Sequence, residues 1–192
     1  TGNMWGSQTF ELKPDILTCA KALSSAYLPI SAVLLSSDIV SGVEKQATKL
    51  GIFGHGYTYS AHPVSAAVAL RTLELMKERQ IVNHVKKVSK KFCERLHQLG
   101  KYRCVGETRA VGLIGAIEFV AIPHSRIKLD PTFKFAAKVQ KLIQDEGVIL
   151  RALPGDSIGF CPPLIISEEE IDKLFDGVER AMPKADEMVC EN

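Results

Sequence analysis

No stretch of this chain approaches the roughly 18 consecutive apolar residues that a membrane-spanning helix needs, and no charged-then-apolar leader reads as a secretory signal. Neither a transmembrane helix nor a cleaved signal is therefore expected between Thr1 and Asn192. Cysteine is sparse: the five thiols, at positions 19, 93, 104, 161 and 190, are odd in number and form no C-x-x-C pair. That pattern argues against a disulfide framework and against a structural zinc site, and it fits a reducing compartment. Net charge is scarce too, since 24 Lys and Arg against 22 Asp and Glu leave only +2. So small an excess gives no reason to expect nucleic acid or an acidic surface as partner. Glycine never occurs as G-x-G-x-x-G, and no helix follows Gly112 and Gly115, so these two do not make a phosphate-binding turn. His55 and His62 stand seven residues apart, which is no metal-ligand spacing, and they read as structural.

What is present is the composition of a globular protein. With 46% hydrophobic and 24% charged residues, a chain of 192 is long enough to bury a core in one or two domains. After an irregular entry over residues 1–14, anchored by Trp5 and Phe10, Ile16, Leu17, Cys19 and Ala20 form a short apolar run of β character. Lys21 ends it, beside Ala22, Ser24, Ser25 and Ala26, whose small side chains leave room for something bulky. A lysine partly desolvated at such a strand end has a lowered pKa and a nucleophilic amine, as Schiff-base chemistry requires. The plainer reading is a solvated lysine just past a strand.

Residues 30–36 form a second strand, and the turn between the two carries Lys21. Residues 38–49 have helical spacing, with Ser36, Ser37 and Asp38 as N-cap candidates. Residues 51–61 are rich in glycine and aromatics without a period, a loop whose backbone can approach a ligand or another subunit. Thr58 within it either caps the next helix or satisfies a turn, or it contacts a ligand. Pro63 suits the first turn of an alanine-rich helix reaching Glu78, expected to be buried between layers. A second helix, residues 81–99, carries Ile81, Val85, Val88, Phe92 and Leu96 on one face and lysines 86, 87, 90 and 91 on the solvated side.

Beyond it, residues 104–106 and 110–120 are strand-like, with Gly112 and Gly115 marking a bulge or close packing. A polar loop over 123–131 leads to an amphipathic helix, residues 132–146, closed by Gly147. Residues 148–151 and 158–161 then read as two short strands joined by the Pro154-Gly155-Asp156 turn. Arg151, at the end of the first, is either a carboxylate clamp or one half of a surface ion pair with Asp156 or Asp145. Ser167 with Glu170 forms a capping box before a last helix with Ile171, Leu174, Phe175 and Val178 inside, and the tail from Pro183 is expected to fray. Alternating helices and short antiparallel strands after residue 83 describe an α+β domain, and the chain as a whole reads as mixed α/β.

Four separated segments carry a resemblance. Asp15-Ile-Leu-Thr-Cys-Ala-Lys21-Ala-Leu-Ser-Ser-Ala-Tyr27-Leu-Pro29 is followed by His55-Gly-Tyr-Thr58-Tyr-Ser-Ala-His-Pro63. Further on come Gly147-Val-Ile-Leu-Arg151-Ala-Leu-Pro-Gly-Asp156 and Pro162-Pro-Leu-Ile-Ile-Ser167. In this order they resemble the class III pyridoxal-phosphate aminotransferases, most closely the ω-amino-acid–pyruvate branch that includes 4-aminobutyrate and β-alanine transaminases.

The resemblance implies a fold-type I transferase in which residues 1–82 are the C-terminal portion of the cofactor-binding large domain and 83–192 the small α+β domain. It implies Lys21 as the catalytic lysine that binds pyridoxal 5′-phosphate, and Thr58 as a cofactor-phosphate contact reaching across a homodimer. Arg151 is implied as the ligand of the substrate carboxylate, with small-molecule amines and 2-oxo acids as substrates; a cytoplasmic setting is expected, with organellar targeting left open. The family's phosphate-binding turn and its acidic partner for the pyridine nitrogen align upstream of Thr1, so a C-terminal part of a longer enzyme is expected. A non-catalytic association domain, or a class III aminomutase or racemase, stays open as the alternative.

Overall fold

Ile16–Ala20 (β1) and Ser31–Leu35 (β2) pair antiparallel, Ile16 opposite Leu35 and Ala20 opposite Ser31, and the return between them starts at Lys21. The structure, a computed structural model, describes residues 1–123, 125 and 127–190, and nothing of the Cys190 side chain. Two units divide the chain, one over Trp5–Ile81 and one made of Thr1–Met4 with Val82–Asn192. Among the described residues no helix is long and apolar enough to cross a membrane.

In the first unit a single turn of helix, Gly6–Thr9 (α1), precedes β1, so the entry is less irregular than expected. Trp5 is half-buried, but Phe10 is 58% exposed just past that turn and anchors no core. Ser37–Leu50 (α2) starts where the sequence places it: the Ser36 hydroxyl accepts from the Ile39 amide at 3.5 Å, and Gly51 at φ 73° closes the other end. Pro63–Glu78 (α3) has proline in its first turn, yet it buries only Ala69 and Thr72 and leaves Leu70 60% exposed. The expectation of a helix buried between layers is thus not met in this unit. Among the described residues, α3 packs chiefly on the short turn that follows β1, and a two-stranded sheet offers no second layer.

The second unit, from Val82 on, is built on Ile81–Gln98 (α4), and Ile81, Val85, Val88, Phe92 and Leu96 along this helix are buried as the 3.6-residue period requires. Its lysines stay on the solvent side, Lys91 pairing with Asp172. The segment read as one strand over residues 110–120 is instead a hairpin of Val105–Val111 (β3) and Ile114–Phe119 (β4). Gly112, at φ 63°, makes the turn, and a side chain there would come within 2.6 Å of Thr1 Cα, which packs against it. Gly115 is a packing glycine, since an added Cβ would overlap Leu96.

Phe135–Asp145 (α5) is followed by Arg151–Leu153 (β5) and Ser157–Phe160 (β6), giving an antiparallel sheet in the order β3-β4-β6-β5. The polar loop expected over 123–131 includes His124 and Arg126, which lie outside the described residues. Glu168–Cys190 (α6) opens with the expected capping box, the Ser167 amide donating to Glu170 at 2.8 Å and the Glu170 amide to the Ser167 hydroxyl at 3.1 Å. Its Phe175 ring stacks on Phe160 at 5.6 Å and tilts against Phe92 at 5.5 Å, tying sheet, α4 and α6 into one core.

The frayed tail expected from Pro183 is corrected by the structure: α6 runs through it, with Ala181, Met182 and Ala185 buried. Pro183 has no amide to give the Glu179 carbonyl, and the Tyr102 hydroxyl donates to that carbonyl instead, at 3.3 Å. One turn later the Asp186 carboxylate accepts the Arg103 and Cys104 amides at 3.1 and 2.8 Å. The proline's cost is offset from outside the helix.

Candidate active site

Lys21 sits where the sequence places it, immediately after β1, but not in the environment expected for it. It is exposed rather than partly desolvated, and among the described residues its ammonium has no ion-pair or hydrogen-bond partner. The reason is the sheet: β1 pairs only with β2, and its residues alternate between exposed and half-buried. The solvated-lysine description therefore holds for its surroundings in this unit. Its backbone is less ordinary. Lys21 has φ 51° and opens a 3-10 turn, Lys21–Ser24, that is followed by Ser25 at φ 49° and Ala26 at φ 62°.

Left-handed backbone costs an L-residue with a Cβ roughly 1–2 kcal/mol, so three such residues within six need compensation. The turn supplies it locally. Ser25 and Tyr27 amides donate to Ala22 and Ser24 carbonyls at 3.1 Å, and the Ala26 amide reaches the Lys21 carbonyl at 3.3 Å. Ser24 is 1% exposed and its hydroxyl donates to the Leu28 carbonyl at 2.6 Å. This serine was legible only as one of several small residues; the signal that marks it, a hydroxyl four residues ahead of a turn-closing carbonyl, has no meaning until the turn is known.

Thr58 lies in the loop between α2 and α3, inside a turn in which the Ser60 amide donates to the Tyr57 carbonyl at 2.9 Å and the Tyr57 amide to the Ser60 hydroxyl at 3.0 Å. Its own hydroxyl is exposed and without a partner among the described residues. His62, not Thr58, precedes α3 as the cap residue, and its side chain makes no cap hydrogen bond. The capping alternative for Thr58 falls away. Around it the loop exposes apolar rings, with Tyr57 78% and Tyr59 81% exposed, and His55 edges onto Tyr57 at 5.5 Å.

Arg151 belongs to the other unit, and there the strand boundary is corrected. Residues 148–150 are not strand, because the Val148 amide still bonds back to the Ile143 carbonyl at the end of α5. Arg151 opens β5 instead of ending a strand, opposite Gly159 of β6, which has no side chain to cover it. The acids offered as its surface partners are engaged elsewhere: Asp145 pairs with Lys141, and Asp156 accepts the Ala136 amide at 3.1 Å. Arg151 is left exposed with no acid partner among the described residues. Lys21 and Thr58 thus share the first unit, and Arg151 stands in the second.

An amine, a hydroxyl and a guanidinium, each exposed and unpaired, are groups able to meet an aldehyde, a phosphate and a carboxylate. The family model for "Aminotransferase class-III" matches residues 1–182. The "Uncharacterized aminotransferase y4uB" of Sinorhizobium fredii is 40% identical over 192 residues, covering 98% of this chain and 41% of that protein. The "Gamma aminobutyrate transaminase 1, mitochondrial" of Solanum lycopersicum is 40% identical over 190 residues, covering 99% and 37%. The chain thus spans about two fifths of the length of these curated relatives.

Among solved structures, one described as "Transaminase with L-ala" superposes with a TM-score of 0.92 at 41% identity, over 98% of this chain and 44% of that one. The omega transaminase of Pseudomonas jessenii in complex with PMP gives 0.91 at 36%, over 98% and 42%. The fold is accordingly that of the matching part of the fold-type I transaminases. With the family model matched along almost its whole length, the chain belongs to the class III aminotransferases.

Proposed function

We propose that the chain serves a pyridoxal 5′-phosphate-dependent transaminase that moves an amino group from an ω-amino acid or primary amine, such as 4-aminobutyrate or β-alanine, to a 2-oxo acid, pyruvate first. The observation that carries this is the placement of Lys21: an unpaired amine at a strand end, on a backbone turn held in a costly conformation. The names of the relatives support the substrate classes, since several are gamma-aminobutyrate transaminases and one solved neighbour is described with L-ala. On this reading residues 1–82 close the large domain, residues 83–192 are the small domain, and the working enzyme is a homodimer.

The residues fit the cofactor as far as they go. Lys21 would hold it covalently, and the free Thr58 hydroxyl would donate to its phosphate from the neighbouring subunit. When bound, the pyridoxal group supplies the electron sink for charge developing at the substrate carbon. Released when the donor's own amine takes its place on the cofactor, Lys21 would act as a base, its amine taking the proton from the substrate Cα and giving it to the cofactor carbon that it had held. To do so it must be neutral, which requires the assembled site to strip water from an amine that is solvated in this unit. Arg151 would grip the carboxylate of the 2-oxo acid with its two-pronged guanidinium and turn aside for a donor without one.

Product analysis tests the proposal. The protein supplied with pyridoxal 5′-phosphate, 4-aminobutyrate or β-alanine, and pyruvate should form alanine only when pyruvate is present. An isomerised amine formed without any 2-oxo acid would replace transamination by mutase or racemase chemistry. No turnover of either kind would leave a non-catalytic chain.

A further inference from the structure

We infer that Ser24 is a positioning residue for Lys21, setting the direction of the lysine by locking the turn on which it stands. The inference rests on the reading of Lys21 as the cofactor lysine. Ser24 is one of three buried polar side chains among the described residues, with Thr72 and Ser157, and the most deeply buried of them at 1% exposure. Thr72 bonds within its own helix, to the Val68 carbonyl, and Ser157 only to a neighbouring turn carbonyl at 3.5 Å. Ser24 alone of the three closes a segment containing a candidate catalytic group. Its 2.6 Å bond to the Leu28 carbonyl spans Ser25 and Ala26, the two left-handed residues that reverse the chain toward β2.

Without the hydroxyl, the Leu28 carbonyl loses its described partner, and Ser25 and Ala26 are held only by backbone bonds of 3.1–3.3 Å. They would then relax toward right-handed backbone. Because Lys21 itself sits at φ 51° and its carbonyl is bonded to the Ala26 amide, relaxation at Ala26 is transmitted directly to the residue bearing the amine. Five single bonds separate the lysine Cα from Nζ, so a modest rotation at Lys21 moves the amine by ångströms. The same turn also packs on α3.

The test compares labelling within one unit. The protein is incubated with pyridoxal 5′-phosphate and cyanoborohydride, and labelling of Lys21 is measured against the exposed Lys45 and Lys49 of α2. In the native protein Lys21 should label fastest. Ser24→Ala should slow Lys21 by about twofold to tenfold, the range expected for one lost hydrogen bond, with Lys45 and Lys49 unchanged. Amide exchange at Ala26 and Tyr27 should speed up by a similar factor, and Ala26→Gly in the same background, which removes the left-handed strain, should restore at least half the loss.

If Lys21 labels fastest in the native protein and Ser24→Ala changes neither ratio nor exchange, the inference is wrong and the reading of Lys21 stands. If Lys21 labels no faster than Lys45 and Lys49 in the native protein, the reading of Lys21 fails and the inference with it. If Ser24→Ala also strips protection from α2, Ala26→Gly alone decides: slower exchange at Tyr27 supports the locked turn, and unchanged exchange overturns it.

Discussion

Replacing Gly115 by alanine tests the packing of α4 on the sheet that presents Arg151. Gly115 pairs with Phe160 across β4 and β6, and a Cβ there would overlap Leu96 Cδ1 and lie 3.2 and 3.3 Å from two atoms of the Phe92 ring. Both neighbours are 0% exposed, and Phe92 is itself wedged against Phe175, so neither has free space to retreat into. Overpacking of this kind costs about 1–3 kcal/mol. Leu96→Ala alone should cost about 2–5 kcal/mol through the cavity it opens. Combined, the two changes relieve each other, because the new methyl occupies part of that cavity. The double variant should therefore be more stable than the sum of the singles by about 1–2 kcal/mol. Urea unfolding followed by circular dichroism, with the slope unchanged among variants, reads this coupling. Additivity within about 0.5 kcal/mol would mean that Gly115 and Leu96 do not meet, and the packing described for this sheet would be wrong.

Thr58→Ala should raise the cofactor dissociation constant tenfold to a hundredfold, about 1.5–3 kcal/mol for a charge-assisted bond, and leave the melting temperature unchanged because the hydroxyl has no partner among the described residues. Equilibrium titration of pyridoxal 5′-phosphate measures it. Arg151→Ala should lower kcat/KM for pyruvate about a hundredfold, some 3 kcal/mol, and spare the half-reaction with an uncharged amine; equal losses in both would withdraw the carboxylate role. Asp172, held below the usual carboxylate range first by Lys91 and then by Arg95, has a lower pKa folded than unfolded. Its contribution is therefore present above the unfolded value of about 4 and is lost as pH falls through the folded one. Melting temperature should drop on acidification below about pH 4, and Asp172→Asn should flatten that fall.

The sequence was most informative where a periodic pattern met a matching partner. The stripe on α4, the Ser36 cap, the Pro63 start and the Ser167–Glu170 box depend on neighbours a few residues away, and each is found as expected. Where the outcome depended on distant layers, local pattern misled. The apolar run of β1 and the alanines of α3 have the composition of buried elements, yet they stay largely uncovered, since burial is decided by what packs on them. Pro183 ends a helix by any local rule, and the partners that meet α6 around it, the Tyr102 hydroxyl on the Glu179 carbonyl and the Arg103 and Cys104 amides on Asp186, come from a distant part of the chain. For the candidate site, Lys21, Thr58 and Arg151 are proposed from motifs alone, and the left-handed turn under Lys21 was not legible, because serine and alanine carry no signal for positive φ.

The most direct test of the account is where the cofactor attaches. The protein mixed with pyridoxal 5′-phosphate, reduced with borohydride and digested should yield one stoichiometrically labelled peptide, carrying the label on Lys21. Lys21→Ala should abolish that label without creating another. A stoichiometric label on any other lysine would contradict the assignment on which the proposed chemistry rests.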